Sequence, residues 1–462
     1  MAAKSKRSRD RTTALSVIQP DAAGIDVGAD EHFVAVPADR DSQPVRSFRS
    51  FTKDLQALVR WLGSCGITTV AMESTGVYWV PLYELLEAHG IEVCLVNARH
   101  VKNVPGRKTD VRDCQWLQQL HSYGLLRASF RPDAQFVTLR TLLRHRESLM
   151  KSATVHVHHM QKALALMNVQ IHRVIADITG ATGMAILRAI VDGERDPFEL
   201  AKHRDYRCRS SPEEIAAALH GAYQEEHVFV LAQALALYDG YQDKLLECDE
   251  RITKQIDAMR VAAPEVDLSA LPSPTRPPRK KKRSKEFLPD VRASLYAITY
   301  GVDLTATAGL GELTVLQIIA EIGTDMSAWP TDKHFVSWTT LAPSCRVTGG
   351  KPKKTRRPSS AHRIAQILRM AAVNAGRTST AIGAFYRRLS ARIGRGKAVV
   401  ATAAKLARII YSLLKNRTPY CDPGQDAYER QYRERALRNL KRRASHLGFE
   451  LVPTPESTGA SI

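Results

Sequence analysis

Between residue 14 and about residue 130 the apolar positions change period partway along. "AAGIDVGAD" and "HFVAVPAD" alternate as two strands around a short turn, and "VRSFRSF" continues as a third. From "TKDLQALVRWLGSCG" onward the spacing becomes helical. Thr52 stands where a cap belongs, and Leu55, Leu58, Val59 and Leu62 fall on one face. An apolar strand, "ITTVAME", comes next, then the helix "VYWVPLYELLEAHG" closed by Gly90, the strand "IEVCLVN", and a helix carrying "TDVRDCQWL". The order βββαβαβα predicts a mixed sheet opened by a meander and finished by right-handed crossovers.

Beyond residue 130 the pattern is helical. From Phe136 to Val174 a single long helix is predicted, with Met150, Ala153, Val157, Met160, Leu164, Met167, Ile171 and Val174 spaced by threes and fours as a heptad seam. A second, less regular run holds Val228, Leu231, Leu235, Tyr238, Leu245, Ile252, Ile256 and Met259, interrupted by Gln242 and Asp249. Two long helices separated by a shorter helical insert over 178–222 give either a coiled-coil or dimerisation arm over 131–265, or core packing inside one domain. In "HVHH", only His156 and His159 share a helix face, a poor arrangement for metal.

A Pro-rich, cationic stretch over 266–290, "PSPTRPPRKKKRSKEFLP" at its centre, reads as a linker, with Lys280, Lys281, Lys282 and Arg283 as a strap for a nucleic-acid backbone. A mainly helical domain over 291–416 follows. In it Gly309-Leu310-Gly311 precedes an apolar helix, like the turn of a helix-hairpin-helix, in which glycine lets backbone N–H groups approach a phosphate. Basic tails occupy 1–13 and 417–462, the second as an exposed helix. The fold class is therefore α/β plus all-α.

Charge narrows the function. Lys and Arg number 67 against 47 acids in 462 residues, a surplus of 20, with a pI near 9.7, which calls for a polyanionic partner, nucleic acid first. There is no apolar run of about 18 residues to cross a membrane, and the amino terminus has charge without an apolar core. Seven cysteines stand singly with no CxxC pair, as expected of reduced thiols in cytoplasm without structural zinc.

Four acids fall at telling places in the element order: Asp26 on the first strand, Glu73 ending the fourth, and Asp110 and Asp113 one turn apart on the last helix, among Arg107, Lys108 and Arg112. Taken singly each has a plainer reading, as a turn residue, a cap, and a first helical turn answering the dipole. Taken together, the order brings four carboxylates to one place. Their repulsion would be relieved by divalent cations about 3.5–4 Å apart clamping a phosphate, and oxygen ligands favour Mg²⁺.

"GIDVG", "AMESTGVYW", "LVNARHVKNVPGRKTDVRDCQWL" and "AEIGTDMSAWPTDKHFVSWTTLAP" resemble the insertion-sequence 110 family of bacterial transposases, over about residues 20–415. The resemblance implies an amino-terminal DEDD domain of RNase H-like, Holliday-junction-resolvase-like fold. Its four acids correspond to Asp26, Glu73, Asp110 and Asp113. It also implies a nucleophilic serine in a carboxyl-terminal Ser-Gly-Gly loop, where this chain has Thr348 in "RVTGGK". Threonine offers a hydroxyl, but its β-methyl crowds attack. Ser344, Ser359 and Ser360 are the nearby alternatives. Lys351, Lys353, Lys354, Arg356 and Arg357 would hold the transferred phosphate. The expectation is thus a transposase in a bacterial cytoplasm, at the nucleoid when acting, with a structured guide RNA and a homo-oligomeric assembly implied by the same likeness. A junction-cutting nuclease using water alone and a non-enzymatic basic architectural protein are the alternatives.

Overall fold

The computed structural model describes residues 16–74, 76–97, 110–273, 291–343, 345–349, 351–354 and 362–452. The chain divides into two compact units, 1–131 and 132–462.

In the first unit, β1 (Ala22–Val27), β2 (Glu31–Ala35), β3 (Val45–Arg49), β4 (Thr69–Glu73) and β5 (Glu92–Val96) form a five-stranded sheet of order β3-β2-β1-β4-β5. The meander β1–β2–β3 is antiparallel, and β4 and β5 add in parallel. This is the mixed sheet expected of an RNase H-like domain. Alternation on β1 divides the layers. Ala23, Ile25 and Val27 join one core with α1 (Thr52–Ser64) and α2 (Trp79–Ala88), through Leu55, Leu58, Val59, Leu62, Leu82 and Leu86. The predicted apolar face of α1 is the buried one. Its cap differs: Phe51 holds the N-cap with extended backbone, and Thr52 is already helical.

The opposite face of β1, with Gly24 and Asp26, belongs to α3 (Asp110–Ser122). A Cβ on Gly24 would collide with the Gln118 amide N and the Cys114 carbonyl O, and would lie 2.8 Å from Gln118 Cα. Only glycine lets the helix lie directly on the strand. The contact is fastened at the far end of α3, where His121 Nε2 and Thr69 Oγ1 are hydrogen-bonded at 2.8 Å and Gln118 Nε2 donates to the Ala22 carbonyl at 3.3 Å.

In the second unit α4 (Ala134–Leu166) and α8 (Glu225–Ala262) pair as a hairpin of long helices. At 1.5 Å per residue α4 is about 50 Å long. Gln255 Nε2 donates to the Gln135 carbonyl, Cys248 faces Leu142, Arg146 bonds Asp249, and His156 stacks on Tyr241 at 5.4 Å, so the two helices run antiparallel. Asp249 is thus no break in the seam but the partner of Arg146, at 2.6 Å with both side chains mostly buried. The first seam is shorter than its sequence suggested. Met150 is exposed, α4 ends at Leu166, and Asn168 turns the chain with φ +58°. Ile171 and Val174 then belong to a small helical tip built from α5 (Ala181–Val191), α6 (Pro197–Ala201) and α7 (Pro212–Leu219), whose core includes Met160, Leu164, Met167, Ile186, Ile190, Leu219 and Leu231. The tip gives those methionines and leucines a core that a bare coiled coil would lack.

The remainder comprises α9 (Val291–Ile298), α10 (Glu312–Ile322), α11 (Asp332–Trp338), the hairpin β6 (Cys345–Thr348) and β7 (Lys351–Lys354), α12 (Arg363–Ala375), α13 (Ala381–Ile393), α14 (Arg395–Asn416) and α15 (Gly424–His446). α14 is central: Ala398, Ala403, Leu406, Ala407 and Ile410 are buried against its neighbours. α15 buries no residue and rests on α13 by stacking, with the Arg388 guanidinium 3.6 Å from the Tyr432 ring centre. At the root of the arm the buried Glu321 carboxylate accepts from Arg144 Nε and Nη2 at 2.9 and 2.7 Å, and Arg363 Nε lies 3.3 Å away. The linker residues 280–283 lie outside the described residues.

Candidate functional site

β1 and β4 are neighbours in parallel, and their register brings Ile25 opposite Met72, both in the α1/α2 core. One step on, Asp26 and Glu73 lie opposite each other at the carboxyl ends of the two strands. Both face the α3 side, partly buried, on strands about 4.8 Å apart. Because Gln118 meets Ala22 and Cys114 meets Gly24, α3 runs antiparallel to β1, and its first turn comes to the Asp26 end. That turn carries Asp110 and, partly buried, Asp113. The Cys114 thiol marks the convergence. It is fully buried and pushed up to about 12, first by burial and further by the negative charges of Asp26 and Asp113, both close enough to be felt.

The backbone thus gathers all four predicted acids at one end of the sheet. The side chain of Asp110, with Arg107 and Lys108, lies outside the described residues, and Arg112 is exposed. Among the described side chains, no three of His, Cys, Asp and Glu close to metal-binding distance. The predicted ligands are all carboxylates, and among the described residues the thiol felt by Asp26 and Asp113 is Cys114, whose raised affinity for its proton disqualifies it as a ligand. Such a set suits a hard cation such as Mg²⁺, and the amino end of α3 adds a partial positive charge beside Asp110 and Asp113. The sequence reading missed Gly24. A glycine inside a strand is the available signal for close backbone approach.

In the second unit, "RVTGGK" is a β-hairpin rather than an irregular loop. Thr348 pairs with Lys351, and Gly349, at φ +58°, begins a two-residue turn. Left-handed backbone at that position is what a tight hairpin asks of glycine. Thr348, Lys351, Lys353 and Lys354 are placed by backbone only, while Ser344, Arg356, Arg357, Ser359 and Ser360 lie outside the described residues. His362 precedes α12. Its ring meets Trp338 edge-on at 4.5 Å, its Nδ1 is buried without a hydrogen-bond partner among the described residues, and burial holds its pKa below the usual range against the pull of Glu321. The two glycines of the Gly-Leu-Gly turn have different situations. Gly309, at φ +88°, is pressed on α12 so that a Cβ would collide with the Ala371 carbonyl, which gives it a packing reason to be glycine. Gly311 caps α10 and opens to free space. On the arm His156 and His159 do share a face, with rings 5.6 Å apart.

No helix among the described residues is long and apolar enough to cross a membrane. Comparison with protein families gives two matches: residues 23–169 match the DEDD_Tnp_IS110 model, described as a transposase, and residues 303–387 match the model described as the transposase IS116/IS110/IS902 family. A comparison with curated proteins finds no match. A mixed sheet ending in paired carboxylates, a helical second unit and family matches in both units lead to one conclusion: the chain belongs to the IS110 family of transposases, enzymes that cleave DNA and transfer its strands.

Proposed function

We propose that Asp26, Glu73, Asp110 and Asp113 form a Mg²⁺-dependent centre that positions a scissile phosphate, and that the Thr348 hydroxyl is the nucleophile that holds DNA covalently during exchange. One observation carries the first part. Asp26 and Glu73 stand on matched ends of adjacent parallel strands, on the face where the first turn of α3 arrives. When bound, the metal would supply charge neutralisation and polarise the phosphate. The carboxylates hold and orient, and the backbone at Gly24 sets the spacing between strand and helix.

At Thr348 the step is a displacement at phosphorus. The Oγ1–P bond forms, the bond from phosphorus to a deoxyribose oxygen breaks, and the hydroxyl proton passes to water while the leaving oxygen takes one up. Thr348 stands on the last rung of the hairpin, opposite Lys351, and Lys351, Lys353 and Lys354 on the facing strand would bring positive charge for the phosphate. A structured guide RNA and a homo-oligomeric assembly belong to the same reading, supported by the family likeness and the surplus of 20 positive charges.

End-labelled element DNA incubated with the full chain, co-purifying RNA and Mg²⁺, then run on a denaturing gel, tests both parts. Asp26→Ala and Asp113→Asn are expected to lower cleavage by about a hundredfold or more, since losing even an outer-shell partner of a metal costs 10–100-fold. Chelation abolishes cleavage and added Mg²⁺ restores it. A protein–DNA adduct should vanish with Thr348→Ala and persist with Ser344→Ala. Cleavage that continues without any adduct would favour a water-only nuclease.

A further inference from the structure

The second unit holds a groove of about 1330 Å³ along one face of α14, lined also by Leu341, Pro343 and Phe385. We infer that this groove seats a single strand of DNA and leads it to the root of the β6–β7 hairpin. The inference rests on the transposase reading for the source of the strand, and four observations support it.

The volume exceeds the 300–1,000 Å³ typical of small-molecule pockets, so the natural occupant is an extended one. Charge is lopsided: among the described residues, Lys397, Lys405, Arg408 and Lys415 line the groove against the single acid Asp332. From Lys397 to Lys415 the helix rises about 27 Å, so the cations follow a line rather than a point, as a phosphate backbone requires. Arg408 is already paired with Asp332 at 3.5 Å and Lys415 with the Pro330 carbonyl at 3.0 Å. Lys397, exposed, has no acid partner among the described residues.

The floor is made of Val400, Ala401, Ala404 and Ile409. Small apolar side chains accept a deoxyribose or base face, while Thr331, Ser412 and Asn416 supply polar edges to the same groove. Phe385 adds a ring at the wall, with Lys405 Nζ 4.4 Å from its centre. Burial holds the Lys405 ammonium below its ordinary pKa, and a phosphate arriving beside it would relieve that. Finally, Pro343, which lines the groove, stands two residues before Cys345, where the strand that carries Thr348 begins.

The test is fluorescence anisotropy on the full chain with a labelled single-stranded oligodeoxynucleotide across a salt series, and with RNA of the same sequence. Lys397→Ala should lower the slope of log affinity against log salt by about 0.7, the value for one phosphate contact to a single strand. Ala404→Trp, which fills the floor, should weaken DNA binding by about tenfold or more, the scale of one lost base contact. Lys244→Ala on α8, exposed and paired with Glu247, should change neither. Wild-type affinity and slope in both groove variants, equal losses for RNA, or a fall in assembly mass by light scattering with DNA binding intact would each overturn the inference, the last by making the groove a protein interface. Asp113→Asn run in parallel separates the two claims. If it abolishes cleavage while the groove variants bind normally, the groove assignment fails and the transposase site stands; if it cleaves normally, the site reading fails.

Discussion

Gly24 is the residue on which the acidic site turns, although it carries no functional group. Adding one methyl forces α3 off β1, because the atoms in the way are the helix backbone itself and not the end of a pliable side chain. Gly24→Ala is expected to destabilise the first unit by about 1–3 kcal/mol, the usual cost of overpacking, and to lower cleavage as well. A thermal melt alongside the gel assay checks both. A second effect at this scale is pH dependence. Burial holds His32 and His121 below the ordinary imidazole value, and His32 Nδ1 has no hydrogen-bond partner among the described residues. As pH falls through about 6.5 the unfolded chain takes up protons that the folded chain resists, so stability is full above that pH and is lost below it. Urea midpoints at about pH 7.5 and 5.5 should show the drop, and His121→Gln should reduce it.

Among elements, the arm shows most plainly what a sequence discloses and what it withholds. Its two long helices were legible from threes and fours, because burial of a stripe imposes that spacing wherever helices pair. The end of α4 was not: Met167, Ile171 and Val174 keep the rhythm after the helix stops, since the tip core wants the same apolar residues in another geometry. Asp249 reads as an interruption along one helix and becomes a partner only when Arg146 is seen across from it. Asp249→Ala is expected to cost the arm about 3–5 kcal/mol by leaving Arg146 without its carboxylate, while Arg146→Met with Asp249→Leu should be near neutral or stabilising. Chemical denaturation of the wild type and of these two variants checks both. The strands and helices of the first unit were likewise legible, down to the buried face of α1. Element order led to the expectation that the acids converge, whereas the bare strand at Gly24, on which the helix lies, appears only in the structure.

For the whole molecule, the surplus of positive charge gives partner class and nothing of geometry; it cannot say which cations meet a backbone and which, like Arg144 and Arg146, are spent on internal carboxylates. Structure makes that separation. It also joins the root of the arm to the helix that follows the hairpin, because Glu321 binds Arg144 of α4 and Arg363, the first residue of α12, which in turn reaches Glu147. An arm of about 50 Å is anchored at that point by a partly exposed ionic cluster around the buried Glu321. The root of the arm and the start of α12 therefore share one set of ion pairs, and a Glu321→Gln exchange would weaken it while leaving both helices intact.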